Sequence, residues 1–158
     1  MYSFNKKTNT VKNQLTDSCG EVADTTKIYK TAGFGIVVFG IENYGQNSSN
    51  ESAIIESHDL GVRAVIVKSF TRIHETNLKK QGMLALTFVN PSDYDLIQED
   101  DRVSILSLAD FTPGQPLMLE ALHSDGSKDV FPVHHTYNEA QIQWFKAGSA
   151  LNEIRANQ

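Results

Sequence analysis

The chain has 158 residues, of which 40% are hydrophobic and 21% are charged, the composition of one globular domain of ordinary size. This composition excludes an intrinsically disordered protein, a collagen and a coiled coil. The single cysteine, Cys19, excludes an intramolecular disulfide, and it excludes a four-cysteine zinc site or an iron–sulfur cluster held by this chain alone. A net charge of −5 argues against a nucleic-acid partner.

The N-terminal segment is polar and rich in Asn, Thr and Lys, which predicts a loop or linker over residues 1–22 ahead of a domain over residues 23–158. The first residues lack the apolar run of a secretory signal, so no targeting signal is expected. Apolar stretches stay far short of the ~20 residues that a membrane-spanning helix needs. The sequence therefore predicts no membrane partner.

The middle of the chain alternates between strand and helix patterns. Asp24 is predicted to cap a helix over 25–32, and glycines bound a β-branched apolar strand over 35–40. The next predicted elements are a helix over 49–60, a strand over 63–67, a helix over 72–81, a strand over 83–89 and a short helix over 91–98. This alternation predicts an α/β fold with a mostly parallel sheet flanked by helices.

The last third of the sequence has a different pattern. Strands are predicted over 102–106, 117–122 and 130–134, with a hairpin turn over 124–127. Asn138 is predicted to cap a final helix that ends near Ala147. The predicted fold class is therefore α/β with an antiparallel C-terminal appendage.

The loop between the first buried strand and the next helix is the first candidate site. Ligands bind at the carboxyl edge of such sheets, and the free N–H groups of a helix start favour an anion. Ser48 and Ser49 place two hydroxyls beside those amides, and Gly45 lets the backbone come close. The same amides would stabilise a serine alkoxide. The alternative is that one serine simply caps the helix.

A second polar segment follows the strand over 63–67. Arg72, His74 and Asn77 lie near one another at helical spacing. This pattern is typical of a solvated basic face. It is also compatible with a polar wall that faces the loop of Ser48.

A pair of histidines and a pair of aromatic residues lie near the C-terminal end of the sequence. His134 and His135 are adjacent on a predicted strand, so they point to opposite faces and do not chelate a metal together. Trp144 and Phe145 on the last helix are predicted to be packing residues.

Several stretches, in one order along the chain, carry a family resemblance. They are 42–45, 48–49, RAVIVKSF over 63–70, RIHETNLKKQG over 72–82, 86–88, 91–94, 111–114 and QWFKAGSALN over 143–152. On these stretches the region from about residue 20 to residue 154 resembles the C-terminal swivel domain of aconitase, of the mitochondrial and related bacterial type. The resemblance implies a swivelling β/β/α domain, a fold that the isopropylmalate isomerase small subunit shares.

The resemblance also implies a reaction and a partner. Aconitase interconverts citrate and isocitrate through cis-aconitate, by dehydration and rehydration. Its [4Fe–4S] cluster sits on three cysteines in a large N-terminal part of the family's chain that this sequence does not contain. The expected partners are therefore a tricarboxylate substrate and a cluster-bearing core, in the same longer chain or in a separate one, and no cofactor is expected on this chain. The resemblance implies the mitochondrial matrix, with the cytoplasm as the alternative.

The family's swivel domain contributes a Ser-Ser-Arg motif to the active site. By resemblance Ser48 is the base that removes the carbon-bound proton of the substrate, and Ser49 holds a substrate carboxylate. The arginine position is Asn50 in this chain, and a further family arginine corresponds to His58. The alternative hypothesis is a degenerate, non-catalytic module with a protein-interaction or weak anion-binding role. In either case we expect the isolated chain to show no hydratase activity.

Overall fold

The computed structural model describes residues 4–5, 10–46 and 51–158. Its strands are β1 (Phe4–Asn5), β2 (Thr10–Lys12), β3 (Cys19–Gly20), β4 (Ile36–Gly40), β5 (Val62–Val67), β6 (Leu84–Phe88), β7 (Arg102–Leu106), β8 (Leu117–Leu122) and β9 (Lys128–His134). Its α-helices are α1 (Val22–Thr31), α2 (Glu51–Asp59), α3 (Arg72–Lys80), α4 (Glu139–Ala147) and α5 (Ala150–Ala156). Two 3₁₀ helices cover Pro91–Leu96 and Leu108–Asp110.

Six strands form one mixed sheet in the order β4-β5-β6-β9-β8-β7. The pairings β4–β5 and β5–β6 are parallel, whereas β6–β9, β9–β8 and β8–β7 are antiparallel. The predicted α/β class with antiparallel C-terminal strands is confirmed. Those strands are not a separate appendage, however, because β9 pairs with β6 at Thr87 and Phe88 and extends the same sheet. The parallel part is therefore limited to β4, β5 and β6.

The hydrophobic core lies on both faces of the parallel strands. Ile66, Val67 and Leu86 are fully buried, which is why these strands are continuous apolar runs. In β8 buried and half-buried residues alternate, so one face of this antiparallel strand packs on the core. Each such side chain contributes about 1.5–3 kcal/mol when it is withdrawn from water.

The predicted N-terminal loop contains three of the strands, β1, β2 and β3. β2 pairs with β1 and β3 in a small antiparallel sheet, and Val11 is fully buried. The N–H of Gln14 donates to the Tyr29 hydroxyl at 2.7 Å, so this segment contacts α1. The predicted cap of α1 is wrong: the helix begins at Val22, and Asp24 lies in its first turn. The boundary between residues 22 and 23 stays a prediction.

The C-terminal helices show one confirmed cap and one helix that the sequence did not predict. Asn138 and Gln141 form a reciprocal capping box at the start of α4, at 2.9 and 3.2 Å. After Gly148, the Ser149 hydroxyl accepts from the Asn152 N–H at 3.1 Å and caps α5. Among the described residues, no helix has the length and apolar character that crossing a bilayer requires.

Candidate functional site

Two strand-to-helix corners meet at the carboxyl edge of the parallel strands. The first corner follows β4 over residues 41–46, and the second follows β5 over residues 68–71. β4 and β5 are neighbours in parallel register, with Gly40 opposite Val67, so both corners lie at the same edge. This is the edge at which open α/β sheets bind ligands.

Backbone hydrogen bonds join the two corners. The Tyr44 N–H donates to the Ser69 carbonyl at 3.0 Å, and the Thr71 N–H donates to the Tyr44 carbonyl at 3.1 Å. The Asn43 N–H donates to the Ser69 hydroxyl at 2.8 Å, with Asn43 in the left-handed region at φ +55°. The first loop is therefore hydrogen-bonded to the second corner at Asn43 and Tyr44, and it continues the sheet towards the candidate serines.

Aromatic contacts support the same loop from below. The Tyr44 ring meets Phe70 edge to face at 6.1 Å and His74 at 5.4 Å between ring centroids. Burial raises the pKa of the Tyr44 phenol, because withdrawal from water disfavours the charged phenolate. Tyr44 is thus neutral near pH 7, and its role at this corner is packing.

Lys68, the first residue of the second corner, is a cation at this edge. Its side chain is 20% exposed, and its Nζ lies 4.0 Å from a Glu42 carboxylate oxygen and 5.1 Å above the centre of the Tyr94 ring. The contact with exposed Glu42 is long and screened by water, so it contributes little free energy. Because Glu42 carries the opposite charge, the pair adds no net positive charge to this edge.

The predicted site residues Ser48, Ser49 and Asn50 lie outside the described residues. The description resumes at Glu51, the first residue of α2. His58, at the position of a second family arginine, lies in the last turn of α2, with its Nε2 3.4 Å from an Arg63 side-chain nitrogen. It is about 10 Å along the helix axis from Glu51, at 1.5 Å per residue. His58 is thus remote from the helix start.

The second polar segment separates into two environments. His74 is buried and faces the first loop, which agrees with the predicted polar wall at this one position. Arg72 is exposed and Asn77 is half-buried. Residues two apart on a helix point in nearly opposite directions, so Arg72 and His74 do not form one surface.

The C-terminal histidines have separate surroundings. His134 is exposed, whereas the His135 ring packs on Phe111 at 4.8 Å with its Nε2 2.7 Å from the Gln115 carbonyl. Burial lowers the pKa of His135. The packing prediction is confirmed for Phe145, whose ring meets Phe111 at 5.6 Å.

The chain does not have the ligands of an iron–sulfur cluster. Its single cysteine, Cys19, is exposed in β3, and a [4Fe–4S] cluster needs at least three thiolates. Within the described ranges, no three or more His, Cys, Asp or Glu side chains are grouped so that they could hold a metal ion. The residues present do not fit the cluster.

A charged trio of buried His123 and Asp101 with partly exposed Asp129 lies away from this edge and was not predicted. His123 is 7% exposed; with both ring nitrogens protonated it donates to Asp101 at 2.6 Å and to Asp129 at 2.9 Å. A second oxygen of Asp101 accepts from the Gln98 N–H at 2.8 Å, so the trio ties the β8–β9 hairpin to the turn before β7. Hydrogen bonds to Asp129 and Asp101 raise the pKa of His123. No motif spacing links these three positions, because tertiary folding alone brings them together.

This trio predicts a pH-dependent stability. A raised pKa in the folded state means that His123 stabilises the fold fully below its unfolded pKa of roughly 6.5, and that this contribution is lost as the pH rises through the folded value. We expect the unfolding midpoint in urea to fall over that range. His123→Gln should flatten the profile, and exposed His134→Gln should leave it parallel to the wild type. Parallel profiles for all three proteins would contradict the assignment.

The fold likeness to a solved structure places the chain in a class. The crystal structure of 3-isopropylmalate dehydratase from Methanocaldococcus jannaschii matches with a TM-score of 0.53 at 22% identity, covering 77% of this chain and 64% of that chain. This likeness shows the fold, and it agrees with the predicted relationship to isopropylmalate isomerase. The class is thus that of α/β domains with this fold.

The family follows from sequence comparison. A family model of the aconitase C-terminal domain matches residues 2–91, more than half of the 158 residues. The chain belongs to the aconitase C-terminal domain family, which confirms the predicted resemblance.

Individual relatives agree with this assignment. The chain is 55% identical over 151 residues to a probable mitochondrial aconitate hydratase of Caenorhabditis elegans, covering 96% of this chain and 19% of that protein. It is 50% identical over 154 residues to the mitochondrial aconitate hydratase of Saccharomyces cerevisiae, covering 98% of this chain and 20% of that protein. The chain thus spans about a fifth of the length of the curated relatives it matches.

Proposed function

We propose that this chain acts as the swivel domain of an aconitate hydratase and supplies part of a tricarboxylate pocket to a cluster-bearing core. The observation that carries the proposal is the joined pair of corners at the carboxyl edge, which leads into Ser48 and Ser49 within a chain of the aconitase C-terminal domain family. The core is the rest of a longer chain or a separate chain. The names of the relatives support a mitochondrial location.

In this proposal Ser48 removes the carbon-bound proton of citrate or isocitrate. A serine hydroxyl is a weak base, so it needs donors that stabilise the alkoxide. The candidate donors are the backbone N–H groups at the start of α2, whose helix dipole also favours negative charge.

Ser49 and Asn50 hold substrate carboxylates in the same proposal. Arginine at the position of Asn50 would make a bidentate, charge-assisted pair, whereas the asparagine amide makes a neutral hydrogen bond. Loss of a cation beside a desolvated carboxylate costs about 2–5 kcal/mol. We therefore expect turnover slower than that of relatives with the arginine by about 30-fold to several thousand-fold.

The same asparagine favours the second candidate, a degenerate module that keeps the fold without catalysis. Its function would be to bind a core polypeptide or a small anion weakly. The two candidates differ in one measurable property, which is whether this sequence supports hydratase turnover inside a complete enzyme.

A chimaera tests this difference. In it, residues 1–158 replace the matching segment of the Saccharomyces cerevisiae aconitate hydratase, a segment 50% identical to this chain. Hydration of cis-aconitate is measured by its ultraviolet absorbance. We expect the chimaera to be slower than the parent enzyme by about 30-fold to several thousand-fold. The isolated chain should show no turnover. A folded chimaera with an intact cluster but no detectable rate would reject the catalytic proposal and favour the degenerate module.

A further inference from the structure

Gly45 and His74 are in unusually close contact. Gly45 has φ +95°, a conformation that L side chains rarely adopt. A Cβ added there would lie 2.3 Å from Cγ and 2.4 Å from Cβ of His74, well inside the 3.0 Å limit of real Cβ contacts. The loop can therefore approach α3 this closely only because residue 45 has no side chain.

His74 is buried beside this contact. It is the third residue of α3, and it is 6% exposed. Its ring meets Tyr44 at 5.4 Å between centroids, and together with Ile54 and Leu78 it lines a cavity of about 80 Å³. The position of its Cβ and Cγ beside Gly45 therefore depends on the backbone of α3, since the ring has open space next to it.

The helix that carries His74 is itself anchored. Lys79 is 4% exposed, and its Nζ donates to the Thr136 carbonyl at 3.0 Å and to the Thr136 hydroxyl at 2.6 Å. The same ammonium lies 3.3 Å from Glu75 and 4.8 Å above the Tyr137 ring. A buried, multiply bonded lysine fixes α3 to the segment before α4, so α3 is a rigid support for the loop.

We infer that His74 is a positioning residue, whose side chain packed against Gly45 sets the path of the loop over residues 44–46, which precedes Ser48 in the sequence. This inference rests on the proposed function for its catalytic consequence, but its structural part does not. The backbone hydrogen bonds between Tyr44 and residues 69–71 fix the loop relative to the second corner. The contact with His74 fixes the distance between the loop and α3. Misplacement of a catalytic group by about 1 Å can cost 10²-fold in rate.

Gly45→Ala in the isolated chain tests the structural part. Its matched control is Gly61→Ala, because Gly61 has φ +94° and no atom within 4 Å of an added Cβ. Both variants strain the backbone alike, but only the first meets His74. We expect amide hydrogen exchange at Tyr44, Gln46 and Thr71 to accelerate at least about tenfold in Gly45→Ala. The control should match the wild type at these amides, and equal exchange in both variants would overturn the inference.

Two His74 variants keep the inference testable if Gly45→Ala does not fold. His74→Leu keeps carbon atoms at Cβ and Cγ, whereas His74→Ala removes everything beyond Cβ. If ring packing positions the loop, exchange at Tyr44 and Gln46 accelerates in His74→Ala and stays near wild type in His74→Leu. Acceleration of the same size in both variants would show that the polar atoms of His74 matter instead, and it would overturn the packing argument.

Kinetics in the chimaera test the catalytic part. We expect Gly45→Ala to lower kcat about 100-fold with KM changed less than threefold, and Gly61→Ala to leave both unchanged. If the chimaera turns over and the two variants have the same kcat, the positioning inference fails. If the unmodified chimaera is inactive, the proposed function fails, and the exchange measurements alone decide whether His74 positions the loop.

Discussion

Ser48→Ala in the chimaera is expected to lower kcat for citrate dehydration by about 10²–10⁴-fold, because it removes the oxygen proposed to accept the proton. The exposed Ser104→Ala on the edge strand β7 is the matched control, and it should keep the rate of the unmodified chimaera. Steady-state kinetics with citrate and with isocitrate give the comparison.

The split between kcat and KM identifies the role of Ser48. A base acts in the transition state, so its loss lowers kcat and kcat/KM together and changes KM little. If Ser48 only caps α2, Ser48→Ala should instead lower the free energy of unfolding by about 1 kcal/mol and leave kcat nearly unchanged. A rise in KM at constant kcat would assign Ser48 to substrate binding and contradict the base.

Asn50→Arg is expected to raise kcat/KM of the chimaera by about 30-fold to several thousand-fold, towards the parent enzyme. The physical reason is that a guanidinium makes two charge-assisted hydrogen bonds to one carboxylate, in a site from which water is excluded. The gain should shrink little with added salt, because the pair is buried when substrate is bound.

Asn47→Arg is the control for charge alone, since it adds the same side chain three residues earlier in the loop. We expect it to raise kcat/KM only a few-fold, through long-range attraction that salt screens. Equal gains in both variants would contradict the carboxylate contact at residue 50. No gain in either variant, in a folded chimaera with its cluster, would favour the degenerate module.

Local patterns predicted most elements of the sheet. The strands over 102–106 and 117–122 were predicted at the bounds the structure has, and α3 was predicted within one residue of its end. Each strand carries its own period of burial, β8 follows Pro116, and α3 ends shortly before Gly82.

β2 and α5 were not predicted from the sequence. β2 is a strand because Val11 is buried and paired on both sides, although its sequence is polar in composition. α5 depends on a serine cap directly after the glycine that ends α4, a restart that composition alone did not indicate. For β2 tertiary partners override weak local preference, whereas the cap of α5 is a local contact that the sequence analysis missed.

Some residues of the candidate site were predicted from the sequence, and others were found only in the structure. Ser48 and Ser49 were candidates from the loop pattern, whereas their roles and the position of Asn50 came from the resemblance, and these roles stay predictions. The environment of His74 came from the fold, because the sequence gives its helical spacing but not the loop that packs on it. The trio of His123, Asp101 and Asp129 had no sequence signal at all.

The amino-acid sequence by itself determined the α/β class, the order of the central elements and membership in the aconitase C-terminal domain family, because periodicity and motif order are local properties. Only the tertiary structure decided that β9 lies between β6 and β8, that the loop before Ser48 rests on His74, and that a histidine is buried between two carboxylates. The physical reason is that strand order, close backbone approach and charge burial are set by contacts between residues far apart in the chain. These contacts contribute free energy only once the whole domain has folded.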